Sequence, residues 1–382
     1  MVRTWQPLNT MDLESVIRPW YEVVRDQIPG LELFDAHTHV GQNDPDGMHA
    51  TPEEILDTLA HAQAVGAFVF PMHEPDGYPP ANDEVLAAAE RSGGLLVPFC
   101  RVNPHDHARA EAERCLAAGA RGIKLHPRAE EFTLDHPGVR PLVALAAEHQ
   151  LPVLIHAGRG IPALGEHAVA LAGEFPDARL ILAHAAICDL GWIWHAAPDH
   201  PNLLFDTAWW MPADLAALFA LVPPGQILFA TDAPYSSTLM GAAFGLRSAL
   251  QAGLSAEQLR LICSGQSLRL AAREPLEPAG PAIGARDRAP HVLLDRVAEF
   301  IMLTAIASMR GGAPGEMLAL ARLACDVPAG IDDAPVFAAI LGLLDAYEEA
   351  VAAMPGERRP LTFLILAAAV ARTPDVPIPG VP

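Results

Sequence analysis

The sequence predicts an α/β fold: a (β/α)8 TIM barrel with an all-α helical addition at its C-terminal end. Three observations carry this. Eight short apolar runs recur between residues 31 and 232. Helix-like segments with recognisable start and stop signals separate them. Beyond residue 290 the alternation ceases and apolar helical patterns take over. Continuous apolar strands in βα alternation argue for a parallel sheet covered on both faces, and eight units argue for closure. An open doubly wound sheet is the rival, but no GxGxxG follows the first strand.

In chain order, residues 11–28 read as a helix carrying Trp20 and Tyr21, placed to cover a barrel end within an N-terminal extension of residues 1–30. The barrel spans 31–273. Its predicted strands are 31–39, 67–73, 95–103, 122–126, 152–156, 179–184, 202–207 and 226–232. Thr51-Pro52-Glu53-Glu54 forms a capping box with proline at the first helical position, and Gly66 is expected to close that helix. Gly93-Gly94 and Gly119 are expected to end the next two. Residues 274–290, rich in Pro, Gly and Ala, read as a linker. A helical bundle follows over 291–382, with helices at 291–310, 315–326, 334–353 and 359–372. Its expected role is packing on the barrel or self-association, so a homo-oligomer is anticipated.

Composition narrows the function. Of 382 residues, 51% are apolar and the formal charge is −21. Nucleic acid and anionic membrane are poor partners for such a chain, since both select a basic face. The apolar stretch 361–371 is too short to span a bilayer. Five cysteines with no CxxC read as free thiols in a reducing compartment, so the expected location is cytoplasmic and the expected partner a small-molecule substrate.

Among 25 basic residues there is one lysine, Lys124, and the rest are arginine. In a chain so biased, a lysine marks a place where arginine will not serve. A buried amine can lose its proton, whereas a guanidinium does not. Lys124 ends the fourth apolar run, where barrels place their chemistry.

Phe34-Asp35-Ala36-His37-Thr38-His39 is the strongest local motif. Alternate strand residues face one way, so His37 and His39 share a side and can converge on a metal at about 2.0–2.1 Å. Alone, the pair reads equally well as polar residues at a strand exit. The other strand ends decide the balance. His156 ends the fifth run, His184 the sixth and Asp232 the eighth. Such residues at several C-terminal strand ends, with the single lysine, make a metal site the joint reading.

These residues resemble the amidohydrolase superfamily of metal-dependent barrel enzymes. The likeness lies in DAHTH, GIKLHP, LIHAG, LAHAA and TDAP, in order over residues 31–273. VPFCRVNP is similar to the amidohydrolase-2 branch, which includes decarboxylases related to aminocarboxymuconate semialdehyde decarboxylase. The resemblance implies metal ligation by His37, His39, His156 and Asp232. It implies that His184 is either a second-metal ligand or an acid/base, and that Lys124 is carboxylated to bridge two metals. Gly265-Gln266-Ser267 stands where the family often has an Asn-Ala pair, which puts one structural hydrogen bond in doubt.

The expected activity is that of a metal-dependent hydrolase attacking an amide, ester or lactone carbonyl of a small molecule with metal-bound hydroxide. Asp232, His184 and Lys124 are the expected catalytic residues. The cofactor is a divalent metal, zinc first, with manganese or iron also suited and one or two ions per chain. Non-oxidative decarboxylation of an unsaturated or aromatic acid is the alternative, and a partner-binding role for the helical tail is a second. Weaker substrate candidates are His126, Arg101, Arg159 and Trp209. Asp206, His73-Glu74 and Trp210 also end strands or follow them. His105-Asp106-His107 reads as a helix start.

Overall fold

The computed structural model describes residues 13–45, 47–285, 291–312 and 315–380. Eight parallel strands follow one another around a barrel: β1 (Phe34–Val40), β2 (Gly66–Pro71), β3 (Leu96–Arg101), β4 (Gly122–Leu125), β5 (Pro152–Ile155), β6 (Arg179–Leu182), β7 (Leu203–Asp206) and β8 (Ile227–Leu228). The seam between β8 and β1 closes through a Thr38–Ala233 bridge and two backbone bonds. The Ala36 amide donates to the Phe229 carbonyl at 2.9 Å and the His39 amide to the Ala233 carbonyl at 2.7 Å. The lower interior is plugged by Phe34, Phe68 and Phe99 with Leu154, Ile181, Leu204 and Leu228, so the barrel is a packed core and not a pore. Phe70 forms the top of this plug and the floor of the site above it.

The helix Pro52–Ala62 has the predicted capping box, with Thr51 and Glu54 exchanging side-chain-to-backbone bonds. Its end differs from expectation. Gln63, in the left-handed region at φ 55°, caps it, while Gly66 opens β2. A Cβ on Gly66 would stand 2.9 Å from both the Leu95 carbonyl and the Phe34 ring, so the glycine serves close strand packing. The sixth crossover is reduced to the four-residue helix Leu190–Ile193 and short turns.

The helix Leu13–Arg25 buries Ile17, Trp20, Tyr21 and Val24 against the outer helix Thr238–Ala252. The expected helix start at Met11, with the rest of residues 1–12, lies outside the described residues, as do residues 286–290 of the linker. The described part of the linker is pinned to the barrel, with the Gly284 amide on the Ala220 carbonyl at 2.9 Å and the Glu277 amide on Gln266 Oε1 at 3.0 Å.

Among the described residues, the tail holds the helices Val292–Met309, Gly315–Ala324, Ala334–Ala353 and Leu361–Arg372. The last is its centre. It packs on Val292–Met309 and Ala334–Ala353 on one side, and on barrel helices Pro212–Leu221 and Thr238–Ala252 on the other. Its alanines 367–369 and 371 are buried and allow that close approach. One apolar core therefore runs from barrel to tail without a break. Among the described residues no helix is long and apolar enough to cross a membrane, and the five cysteines are free.

Candidate metal centre

At the C-terminal end of the barrel the strands bring their polar ends together. His37 Nε2 lies 3.1 Å from His39 Nε2 and 3.1 Å from Asp232 Oδ1, and His39 Nε2 lies 2.9 Å from that same oxygen. His37, His184 and Asp232 each offer a ligand atom, all within 4.8 Å of one another. His156 joins through its Nδ1, 3.0 Å from His184 Nε2. A Cβ at position 158 would come within 2.4 Å of His156 Nε2, so Gly158 leaves room for the ring. Lys124 is fully buried. Its amine lies 3.4 Å from His37 Nε2 and 4.6 Å above the Phe70 ring, and it makes no ion pair among the described residues. His37, His39, His156, His184, Lys124 and Asp232 thus occupy one contiguous cluster.

Backbone strain concentrates here. His184 and Asp232 adopt left-handed conformations at φ 57° and 61°. Each costs on the order of 1–3 kcal/mol and persists only where its surroundings enforce it. For His184 the enforcing group is Asp206, whose Oδ1 accepts its amide at 2.7 Å. Its ring Nδ1 is turned to the Ala208 carbonyl at 2.7 Å, which leaves Nε2 facing the cluster.

Charge in the cluster is unevenly held. Burial opposes ionisation of Asp232, but His37, His39 and His184 together outweigh it and hold the carboxyl well below the ordinary range. Asp206 is lowered likewise, burial again overcome by His37 and His184 together. Burial and Lys124 oppose the charged form of His37, yet Asp232 and Asp206 hold it above its ordinary value. Burial depresses His39 to about 3, and keeps His156, His126 and His184 below their usual range. Burial, then Arg101, lowers Lys124 to about 7.

This set fits a divalent cation. Two ionised carboxylates face an imidazole cluster that burial keeps mostly neutral. His37 directs Nδ1 to Asp206 Oδ2 at 2.7 Å, the carboxylate–histidine arrangement that orients Nε2 as a donor. His39 Nδ1 and His156 Nε2 are buried without a hydrogen-bond partner among the described residues.

A family model described as amidohydrolase matches residues 34–270. The chain belongs to the amidohydrolase family. No curated protein matches it significantly. Among solved structures, 2,6-dihydroxybenzoate decarboxylase is similar with a TM-score of 0.51 at 14% identity, over 64% of this chain and 98% of that one. 5-Carboxyvanillate decarboxylase from Sphingomonas paucimobilis gives 0.50 at 14%, over 64% and 99%. An uncharacterized TIM-barrel protein from Bordetella bronchiseptica gives 0.50 at 18%, over 69% and 93%. At such identities the likeness is one of fold. The family is metal-dependent, and the His–His–Asp cluster of this amidohydrolase is suited to a metal.

The weaker candidates separate. Arg101 is the register neighbour of Lys124, but its guanidinium is committed. Nη2 donates to Glu130 Oε1 at 2.6 Å and Nη1 to the Pro71 carbonyl at 3.3 Å. Tyr78 donates its hydroxyl to the same Glu130 oxygen. His126 stacks on His156 at 3.9 Å and accepts the Ala129 amide, which fixes the loop after β4. Trp209 lies edge-on to His184 at 6.1 Å, held by Asp214, while Arg159 is exposed. Gln266 fills the position put in doubt above: buried, it donates to the Gly225 and Glu277 carbonyls.

Three contributors carry no sequence signal of their role. Asp206 orients both His37 and His184. Tyr235 stands edge-on to His39 at 5.8 Å with its hydroxyl on Asp44. Asp35, on β1 itself, accepts the amides of His37 and of Thr231, which precedes Asp232.

Proposed function

We propose that this amidohydrolase is a metal-dependent hydrolase of a small amide, ester or lactone. The observation that carries the reading is the convergence of His37, His39 and Asp232 on one point, with His184 opposite and an uncharged-capable Lys124 beside them. His37, His39, His156 and Asp232 would hold the metal, and Lys124, as a carbamate, would with His184 hold a second ion. A bound divalent ion supplies Lewis acidity, polarising a carbonyl and making water nucleophilic near neutrality.

The protein's own groups then do the following. Asp232, ionised and 22% exposed at its side chain, accepts the proton of the attacking water. With a single ion bound, His184, neutral and fixed through Nδ1, would instead offer Nε2 to take up a proton and deliver it to the leaving group. Trp209 stands edge-on to His184 and Tyr235 edge-on to His39. Burial of Lys124 favours the free amine that carbamate formation requires.

A second reading is decarboxylation of an aromatic acid. It is favoured by the fold likeness to two aromatic-acid decarboxylases and by the single three-ligand cluster among the described residues. Parallel assays decide between them. Zinc- or manganese-loaded protein is tested for carboxylate formation from lactones, esters and amides, and for carbon dioxide release from hydroxybenzoates. Hydrolysis that is abolished by chelation supports the proposal. Carbon dioxide release without hydrolysis replaces it with the second reading.

A further inference from the structure

We infer that Asp35 is a positioning residue that sets the spacing of His37 and Asp232 across the barrel seam; the inference rests on the metal reading above.

Strand β1 does not alternate evenly. Asp35 pairs with Ala67, but the next register partners are Thr38 and Val69, so β1 holds one extra residue between them. Such a bulge switches which face successive side chains occupy. Phe34 and Ala36 belong to the interior plug, and His37 and His39 also reach the interior. Without the bulge, His37 would share the face of Asp35 and point away from the site.

The bulge releases the His37 amide from the ladder, and Asp35 Oδ1 accepts it at 3.2 Å. The same oxygen accepts the Thr231 amide at 3.0 Å. Thr231 immediately precedes Asp232, whose left-handed backbone departs from the strand. Asp35 Oδ2 accepts the Thr231 hydroxyl and, at 3.2 Å, the hydroxyl of Thr238. Thr238 begins the helix that closes the loop carrying Asp232. One fully buried carboxylate therefore holds the peptide at His37, the peptide before Asp232 and the far end of its loop. It does this at the seam where β8 has only two regular residues and the ladder is incomplete. Asp35 touches no candidate ligand atom, so it acts through the backbone.

The test is zinc affinity, by chelator competition, with the visible spectrum of the cobalt-substituted protein as a second readout. Asp35→Asn keeps one acceptor oxygen and the shape but loses the charge. Its zinc dissociation constant is expected to rise roughly 10–100-fold, the range for partners that orient ligands, with an altered cobalt spectrum in folded protein. Thr231→Val removes one hydroxyl and should shift both readouts in the same direction by less. If Asp35→Asn does not fold, Thr231→Val carries the test. Folded variants with zinc affinity within about twofold of wild type and an unchanged cobalt spectrum would overturn the inference while leaving the metal reading intact. Wild-type protein that takes up no zinc overturns the metal reading first, and this with it.

Discussion

Asp206 Oδ2 lies 2.7 Å from His37 Nδ1, and neither side chain is exposed to solvent. The other oxygen of the same carboxylate takes the amides of His184 at 2.7 Å and Ala208 at 3.0 Å. A single residue at the end of β7 thus fixes the tautomer of one candidate ligand and the strained backbone of another. Asp206→Asn can offer an N–H to His37 Nδ1, which would push the ring proton onto Nε2 and block the donor. Metal affinity should fall roughly 10–100-fold, measured by chelator competition. Affinity equal to wild type would mean that His37 Nε2 is not a donor.

Lys124 provides a stability prediction with a definite sign. Its amine is lowered to about 7 in the fold, chiefly by burial, against 10.5 unperturbed. Both folded and unfolded chains bind the proton below pH 7, where the folded state bears the full cost of a buried charge. As pH rises from about 7 towards 10.5, the unfolded chain alone retains the proton and that cost disappears. Metal-free Lys124→Met should therefore be more stable than wild type at pH 6, by on the order of a few kcal/mol. The gap should narrow as pH approaches 10. Urea midpoints at several pH values measure it, and a gap independent of pH would show that the amine is already paired.

The sequence exposed the barrel because each strand is an apolar run ended by a polar group, a pattern set by local periodicity. The same feature disclosed His37, His39, His156, His184 and Asp232, since each stands where an apolar run stops. What remained hidden is relational. Asp206 is visible as a strand end, but nothing local says that it holds a histidine 169 residues away. The bulge in β1 leaves no mark in DAHTH, because it shows only in the pairing of that strand with β2. Arg101 reads as a free cation until Glu130, 29 residues on, is folded against it. Gly66 reads as a helix stop, because a glycine needed for close packing looks the same as one needed for a turn.

Arg247 ties the tail to the barrel. Its buried guanidinium donates to the carbonyls of Pro377 at 2.6 Å, Thr373 at 3.0 Å and Val376 at 3.1 Å, and to the Thr373 hydroxyl at 3.0 Å. Arg247→Leu leaves those buried acceptors unsatisfied and should cost about 2–4 kcal/mol, read as a lower denaturation midpoint. A chain ending at Arg273 would expose the faces of Pro212–Leu221 and Thr238–Ala252 that Leu361–Arg372 covers, and should aggregate. Metal content of the folded Arg247→Leu protein should match wild type, because among the described residues none of the tail reaches the cluster. Loss of metal without loss of fold would show that the tail shapes the site.

Lys124→Arg separates the two roles open to the lysine. The change keeps the charge and most of the length, but a guanidinium cannot be carboxylated. With a carbamate bridge, wild type should hold two metals per chain and the variant one, with hydrolysis reduced by several orders of magnitude. Lys124→Ala should then regain part of its metal and activity when a short carboxylic acid is supplied. With a free amine beside one ion, wild type should hold one metal, the variant should retain it, and only turnover should fall. Burial makes the first outcome the expected one, since it outweighs the pull of Asp232, Asp206 and Glu130 on the amine, which sits 3.4 Å from His37 Nε2 and forms no ion pair among the described residues. Wild-type metal content together with wild-type turnover in Lys124→Arg would remove the lysine from the chemistry altogether.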